Sequence, residues 1–373
     1  MTESSNRHRD PLGSRSSVGA HAEIPPLLDG TRLPEVGELL EGAVVVAQPM
    51  HTRFRGVTVR EAMLLHGPAG WAEFSPFAEY GPEESARWLA AAIEAGWQGW
   101  PTPVRDWVPV NATVPAVPAA DVGRVLDSFG EVPAVKVKVA ESGRTGPEGV
   151  AEDVARVAEV RRLRPGAALR IDANQGWDHA TALAALQRLA EHGLEYAEQP
   201  VAGIEGLARL REALHAAGTP VRIAADESVR RETDPLAVAR AGAADLVVVK
   251  VQPLGGVRRA LGIVGAAGLD AVVSSALDTS VGIAAGVALA ASLPALPYAC
   301  GLGTVALFTE DVVVPRWLPD AGRLASCVSG ASGASRARPV PDPAALARLR
   351  ADEGRQQWWR QRLVQAHGVL SAT

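Results

Sequence analysis

The pattern of apolar and polar positions changes character near residue 108. From there to about residue 303, short runs rich in Val, Ile and Ala alternate with longer Ala/Leu/Arg-rich stretches whose apolar positions recur near a helical period. The short runs are VPVNATV (108–114), AVKVKVA (134–140), ALRIDAN (168–174), EYAEQ (195–199), VRIAADE (221–227), DLVVVK (245–250), DAVVSSA (270–276) and YACGLG (298–303). A helical pattern follows each of the earlier ones, for example EDVARVAEVRRLRP (152–165), where a proline closes the run. Repeated strand–helix units predict a parallel sheet, and eight of them in roughly 200 residues predict a closed (β/α)8 barrel rather than an open sheet.

The residues before this rhythm form a separate body. Segments 43–47, 58–65 and 70–74 read as strands of an antiparallel sheet, and 83–95 as a helix starting after Gly81-Pro82. After the last barrel unit come a strand-like DVVV (311–314), a Gly/Ser-rich loop (326–335) and a helical pattern over 343–367 that carries the paired Trp358 and Trp359. We therefore expect an α+β capping domain over 33–105, completed by 305–373, and a barrel catalytic domain over 106–304. Residues 1–32 are polar and of mixed charge and read as a poorly ordered extension.

Composition narrows the function classes. A net charge of −5 and a pI near 6.0 supply no basic field, which argues against a nucleic-acid partner. Cys300 and Cys327 are the only cysteines, so no disulfide framework is implied and a reducing cytoplasm is expected. The apolar runs, such as 283–293, are too short to span a bilayer, so no membrane partner is expected. No G-x-G-x-x-G follows a strand, which removes a dinucleotide site. Oligomeric state is open.

Chemistry enters at the strand ends. In AVKVKVA the alternation puts Lys136 and Lys138 on one face and the valines on the other. Alone, such a pair would suit a solvated edge strand. The next three strands end in Asp172, Glu198 and Asp226, and the one after them in Lys250, at successive intervals of 26, 28 and 24 residues. A barrel gathers the C-terminal ends of its strands around one mouth, so these groups converge. Three carboxylates without a His or Cys cluster form an all-oxygen site that suits Mg²⁺ better than zinc. A lysine near a divalent cation and a second ammonium has its pKa pulled down, which makes it a base for removing a proton α to a carboxylate.

These motifs carry a family resemblance. K-V-K (136–138), D-A-N (172–174), E-Q-P (198–200), D-E-S (226–228) and Lys250 in VVKVQPLGG resemble the enolase superfamily, muconate-lactonizing subgroup. Within it, PMHTRFRGVTVREAMLL (49–65), GWAEFSPF (70–77), VPVNATVPA (108–116), VVSSALDTSVG (272–282) and ACGLGT (299–304) are similar to a dehydratase branch that acts in menaquinone biosynthesis. The resemblance implies a modified TIM barrel under a cap, with Mg²⁺ held by Asp172, Glu198 and Asp226. It implies that Lys138 removes the α-proton and then protonates the departing hydroxyl. Lys250 would stabilise the enediolate through a cation–π contact, and Lys136 would assist the carboxylate of a small-molecule substrate.

Substrate choice is expected in the cap loop MHTRFRG (50–56), where Arg53 or Arg55 could meet a carboxylate through the guanidinium fork, unless both are solvated surface residues. Ser274 and Ser275 could hold a carboxylate at the seventh strand, or cap the helix that follows. None of the eight histidines ends a strand, which removes a histidine base. The rival readings are a racemase or epimerase of acylated amino acids or dipeptides that uses both lysines, a Schiff-base aldolase, and a non-catalytic binding barrel.

Overall fold

The computed structural model describes residues 24–30, 32–54, 56–219, 221–229, 234–328 and 337–372. Residues 1–23, most of the expected N-terminal extension, and 329–336, most of the expected Gly/Ser loop, lie outside the described residues. Residues 24–30 pack on the body: Leu27 and Leu28 join the main core, and Arg259 donates to the Pro25 carbonyl.

After a short helix α1 (Val36–Leu40), β1 (Val44–Phe54), β2 (Val57–Gly67) and β3 (Gly70–Phe74) form an antiparallel sheet in sequential order. Helix α2 (Pro82–Ile93) starts with Pro82 in its first turn and with Glu83 and Glu84 at its positive end, and it buries Trp88, Leu89 and Ile93. This sheet and helix form the cap.

The predicted strand 108–114 is two strands. β4 (Trp107–Pro109) pairs antiparallel with β12 (Arg323–Ala325) near the other end of the chain, and β5 (Ala112–Val114) opens the barrel. The break falls at Val110 and Asn111, whose amides turn to different carbonyls, Gly322 at 2.8 Å and Cys300 at 2.9 Å.

Strands β5, β6 (Ala134–Lys138), β7 (Ala168–Asp172), β8 (Leu194–Glu198), β9 (Ile223–Ala225), β10 (Leu246–Val249) and β11 (Asp270–Val273) form one sheet in chain order, every pair parallel. The ring closes through 299–301, the weakest of the expected strands, which is reduced to parallel bridges from Cys300 to Val110 and from Gly301 to Ser274. Eight staves therefore surround one packed interior. The intervening helices are α3 (Val122–Asp127), α4 (Pro147–Leu163), α5 (His179–Ala190), α6 (Ile204–Ala216), α7 (Asp234–Arg240), α8 (Val251–Leu254), α9 (Val257–Ala267) and α10 (Ser280–Ser292). Most bury one apolar stripe, as α6 does with Leu207, Leu210 and Leu214. By contrast α10 is apolar on all sides, with Ser280 to Ala291 buried throughout.

Two C-terminal expectations are corrected. DVVV (311–314) is a bend, because Asp311 is drawn inward by Gln48 Nε2 at 3.0 Å and by the Ser280 amide and hydroxyl. The helix expected over 343–367 is two, α11 (Pro343–Leu349) and α12 (Glu353–Ser371). Between them Ala351 donates to the Val45 carbonyl at 3.0 Å, Arg350 bridges Val46, and Asp352 caps α12 through the Arg355 amide at 2.9 Å. Gln356 then grips both the amide and the carbonyl of Val45, at 3.1 and 2.7 Å. No helix of the described residues is long and apolar enough to cross a membrane.

Candidate active site

The alternation of β6 decides the orientation of the site. Val135 and Val137 are fully buried towards the helices, while Lys136 and Lys138 line a pocket at the barrel mouth. Lys138 is in register with Asp172, and Asp172 with Glu198, so all three sit at one level of the sheet and point the same way. Lys136 lies one step deeper. Its Nζ is 3.0 and 2.9 Å from the two Glu198 oxygens and 3.3 Å from Asp172 Oδ2. Lys138 donates to the Asp172 carboxylate and to Asn174 Oδ1 at 2.7 Å. Lys250, just past β10, donates to Asp226, just past β9. Because β6 and β10 are four staves apart in a ring of eight, Lys138 and Lys250 face each other across the mouth.

With all six side chains ionised the three lysines and three acids sum to zero charge, and burial and neighbouring charge shift Glu198, Asp172 and Lys136. Burial pushes the Glu198 carboxyl up, Asp172 beside it adds to the rise, and Lys136 only partly offsets both, leaving it at about 8. Burial also acts against an ionised Asp172, but Lys138 and Lys136 outweigh it and hold that carboxyl well below the usual range. Burial alone would discharge Lys136, yet Glu198 and Asp172 keep its pKa above the ordinary lysine value. The expected mutual depression of the lysines is thus reversed for Lys136 among protein groups alone.

Among the described residues no three His, Cys, Asp or Glu side chains form a preformed ligand cluster, since each of these acids is paired with an ammonium. The donor chemistry nevertheless fits a hard divalent cation. Three carboxylates from consecutive strands line one pocket, and burial together with the repulsion from Asp172 raises Glu198, a load that a cation between the two acids would relieve.

Ser274 and Ser275 line the same pocket. Neither caps a helix, since Thr279 caps α10, and their amides are committed to Val249 and Gly301 carbonyls at 2.9 and 3.1 Å. The Ser275 hydroxyl is bonded to that of Thr304 at 2.7 Å. Arg53 is not in this pocket. It is exposed on the wall of an adjoining cleft of about 950 Å³, which shares Phe77 and Lys138 with the pocket. Arg55 lies outside the described residues.

The structure adds residues that spacing alone did not single out. Asn174 links Lys138 to Glu227, donating to Glu227 Oε1 at 3.1 Å. Gln199 is fully buried: its Oε1 accepts from the Asp226 and Ser228 amides at 3.0 and 3.2 Å, which fixes the Asp226 strand end against that of Glu198. Ala140, Asn174, Gln199 and Leu277 have φ of 56°, 44°, 39° and 60°, so four strand ends turn through the left-handed region close to the site. Of these only Asn174 had a readable signal, since asparagine tolerates that region.

Glu73 on β3 joins cap to barrel. It accepts from Ser75 Oγ at 2.6 Å, from the Thr279 amide and hydroxyl at 3.0 and 2.6 Å, and from the Gly282 amide at 3.1 Å. Burial, reinforced by nearby Asp278, raises its carboxyl to about 7. The native group keeps its proton to about pH 7, whereas an unfolded glutamate releases it near 4.5, so stability declines as pH rises through that interval. We expect Glu73→Gln to flatten the dependence of Tm on pH between 5 and 7.5, whatever its effect on Tm itself; an unchanged slope in calorimetric scans would reject this.

A closed barrel with lysine, acid, acid, acid and lysine on five consecutive strands, under an α+β cap, defines an enolase-type enzyme. The family described as "Enolase C-terminal domain-like" matches residues 119–333, and "Enolase N-terminal domain-like" matches 45–96. Muconate lactonizing enzyme from Pseudomonas fluorescens has a similar fold, with TM-score 0.67 and 22% identity over 83% of this chain and 98% of that one. The L-Ala-D/L-Glu epimerase of Bacillus subtilis is also similar in fold, with TM-score 0.63 and 24% identity over 76% of this chain and 94% of that one. The o-succinylbenzoate synthase of Mycolicibacterium smegmatis is 50% identical over 91% of this chain and 99% of its own length. That of Thermobifida fusca is 57% identical over 74% and 85%. That of Mycobacterium tuberculosis is 49% identical over 91% and 97%. The chain belongs to the o-succinylbenzoate synthase family of the enolase superfamily.

Proposed function

We propose that this chain is a Mg²⁺-dependent hydro-lyase that converts 2-succinyl-6-hydroxy-2,4-cyclohexadiene-1-carboxylate to 2-succinylbenzoate in menaquinone biosynthesis. The observation that carries the reading is the pairing of Lys138 with Asp172 on one side of the mouth and of Lys250 with Asp226 on the other, in a chain so similar to enzymes of that name. Asp172, Glu198 and Asp226 would hold the cation. It supplies positive charge for the substrate carboxylate and lowers the cost of a neutral lysine beside it. The six charged side chains alone are neutral, so a divalent ion gives the excess that one carboxylate and one deprotonated lysine balance.

Lys138, as the free amine, takes the proton α to the carboxylate, and the C–H electron pair moves into an enediolate. Collapse of the enediolate forms the new ring double bond and breaks the C–O bond. The Lys138 ammonium returns its proton to the leaving hydroxyl on the same face, so water departs and the ring becomes aromatic. Lys250 faces the opposite side of the ring, where its ammonium stabilises the enediolate through a cation–π contact. Lys136 holds Glu198 and Asp172 in place and supports the substrate carboxylate.

The ring sits between the two lysines, and the adjoining cleft, with Arg53 on its wall, receives the succinyl arm. In this division of labour the cap of 33–105 and 305–373 supplies the lid, and the barrel of 106–304 supplies the chemistry. A Schiff-base mechanism would make no use of the three carboxylates that line the pocket.

Dehydration should be followed spectroscopically with and without Mg²⁺, beside racemisation of an N-acylated amino acid. We expect dehydration that EDTA abolishes and Mg²⁺ restores. Racemisation without dehydration would replace this reading with the racemase that the opposed lysines also permit.

A further inference from the structure

Arg362 lies on α12 beside both tryptophans of its helix, with its guanidinium carbon 5.0 Å from the Trp358 ring centre and 5.4 Å from that of Trp359. Its head group donates to the carbonyl oxygens of Pro76 at 3.2 Å, Tyr80 at 2.8 Å and Phe77, and to the Ser85 hydroxyl at 3.2 Å. These carbonyls all belong to the turn between β3 and α2. Arg60 grips the same turn from β2, donating to the Ser75 carbonyl and lying 4.4 Å over the centre of the Phe77 ring. Phe77 in turn lines both the inner pocket and the cleft, while Glu79 and Tyr80 line the cleft.

A buried guanidinium is a costly way to gain packing, because an apolar side chain of similar volume would serve as well or better. Burial and the neighbouring Arg60 lower the Arg362 pKa to about 10, a sign of that cost. What an apolar residue cannot do is fix three carbonyls of one turn at once, which the rigid five-donor fork of arginine does.

We propose that Arg362 is a positioning residue for substrate binding: through the 76–80 turn it fixes Phe77 as the wall beside Lys138, so that the C-terminal helix shapes the seat of the ring. The nature of the substrate rests on the dehydratase reading; the mechanical link does not.

The experiment compares Arg362→Met, Arg362→Lys, Phe77→Ala and the Arg362→Met/Phe77→Ala double variant by steady-state dehydration, together with hydrogen exchange of the 78–81 amides. We expect Arg362→Met to raise KM about tenfold with kcat within about threefold, the pattern of lost binding rather than lost chemistry. Arg362→Lys should fall between it and the wild type. The double variant should match Phe77→Ala alone, because one effect acts through the other. Exchange at 78–81 should quicken while β6 and β7 stay protected. An unchanged KM, unchanged exchange at 78–81, or losses that multiply in the double variant would overturn the proposal. If Arg362→Met does not fold, Arg362→Lys carries both measurements. If the wild type shows no dehydration, the function reading fails on its own and the exchange data still decide the link.

Discussion

Lys138→Ala is expected to lower kcat for dehydration by about 10⁴-fold, the upper end of what one general acid–base group contributes, because the same nitrogen both takes and returns the proton. The fold should survive. Lys138 is partly buried, and its loss does not strand Asp172, which keeps Lys136 at 3.3 Å and the Asn174 amide at 3.1 Å. Circular dichroism and Tm should therefore stay close to those of the wild type while turnover vanishes. A folded, fully active variant would refute the role given to Lys138. Lys250→Ala provides the contrast. A large loss of dehydration in both variants fits either reading, but α-proton exchange that persists in Lys250→Ala and disappears in Lys138→Ala identifies Lys138 as the sole base.

Glu198→Ala is the second large effect, and it acts on two properties. The carboxylate holds Lys136 through both oxygens in a fully buried setting, and its removal leaves that ammonium with one of its two acid partners, Asp172 at 3.3 Å. Breaking a buried pair from one side costs about 3 kcal/mol or more, so urea unfolding should show a clear drop in midpoint. The same change removes a candidate ligand, so Mg²⁺ binding by calorimetry should weaken at least about 100-fold, a little under 3 kcal/mol. Glu198→Gln separates the two, since its amide oxygen can still accept from Lys136: stability should largely return and Mg²⁺ affinity should not. Normal Mg²⁺ affinity in both variants would remove Glu198 from the metal site.

Much of this was legible in the chain because a barrel converts spacing into position. One acid per strand–helix unit, at Asp172, Glu198 and Asp226, is enough to place all three at one mouth. The alternation in AVKVKVA is enough to send Lys136 and Lys138 inward, as the buried valines on the other face attest. What spacing does not carry is who touches whom across strands. Gln199 looks like any polar residue after a strand, and its bonds to the Asp226 and Ser228 amides exist only because β8 and β9 are neighbours. The break at 350–352 was unreadable for a similar reason. A helical pattern runs through it, and it is interrupted by pairing with Val45 and Val46, some three hundred residues away. DVVV likewise has strand composition, but the demands on Asp311 from Gln48 and Ser280 override it. Arg362 is a further case, since the turn that it holds lies 286 residues before it at Pro76.

The grip of Gln356 on Val45 spans 311 residues, with the whole barrel in between. Joining those points in an unfolded chain carries a loop-closure cost of about 5 kcal/mol, far more than two hydrogen bonds return. Once the barrel has compacted, its surface holds the two segments near each other and most of that cost is gone. We therefore expect the contact between the first cap strand and the C-terminal helix to form after the barrel has compacted, so that the lysines gather at a mouth not yet covered by the roof.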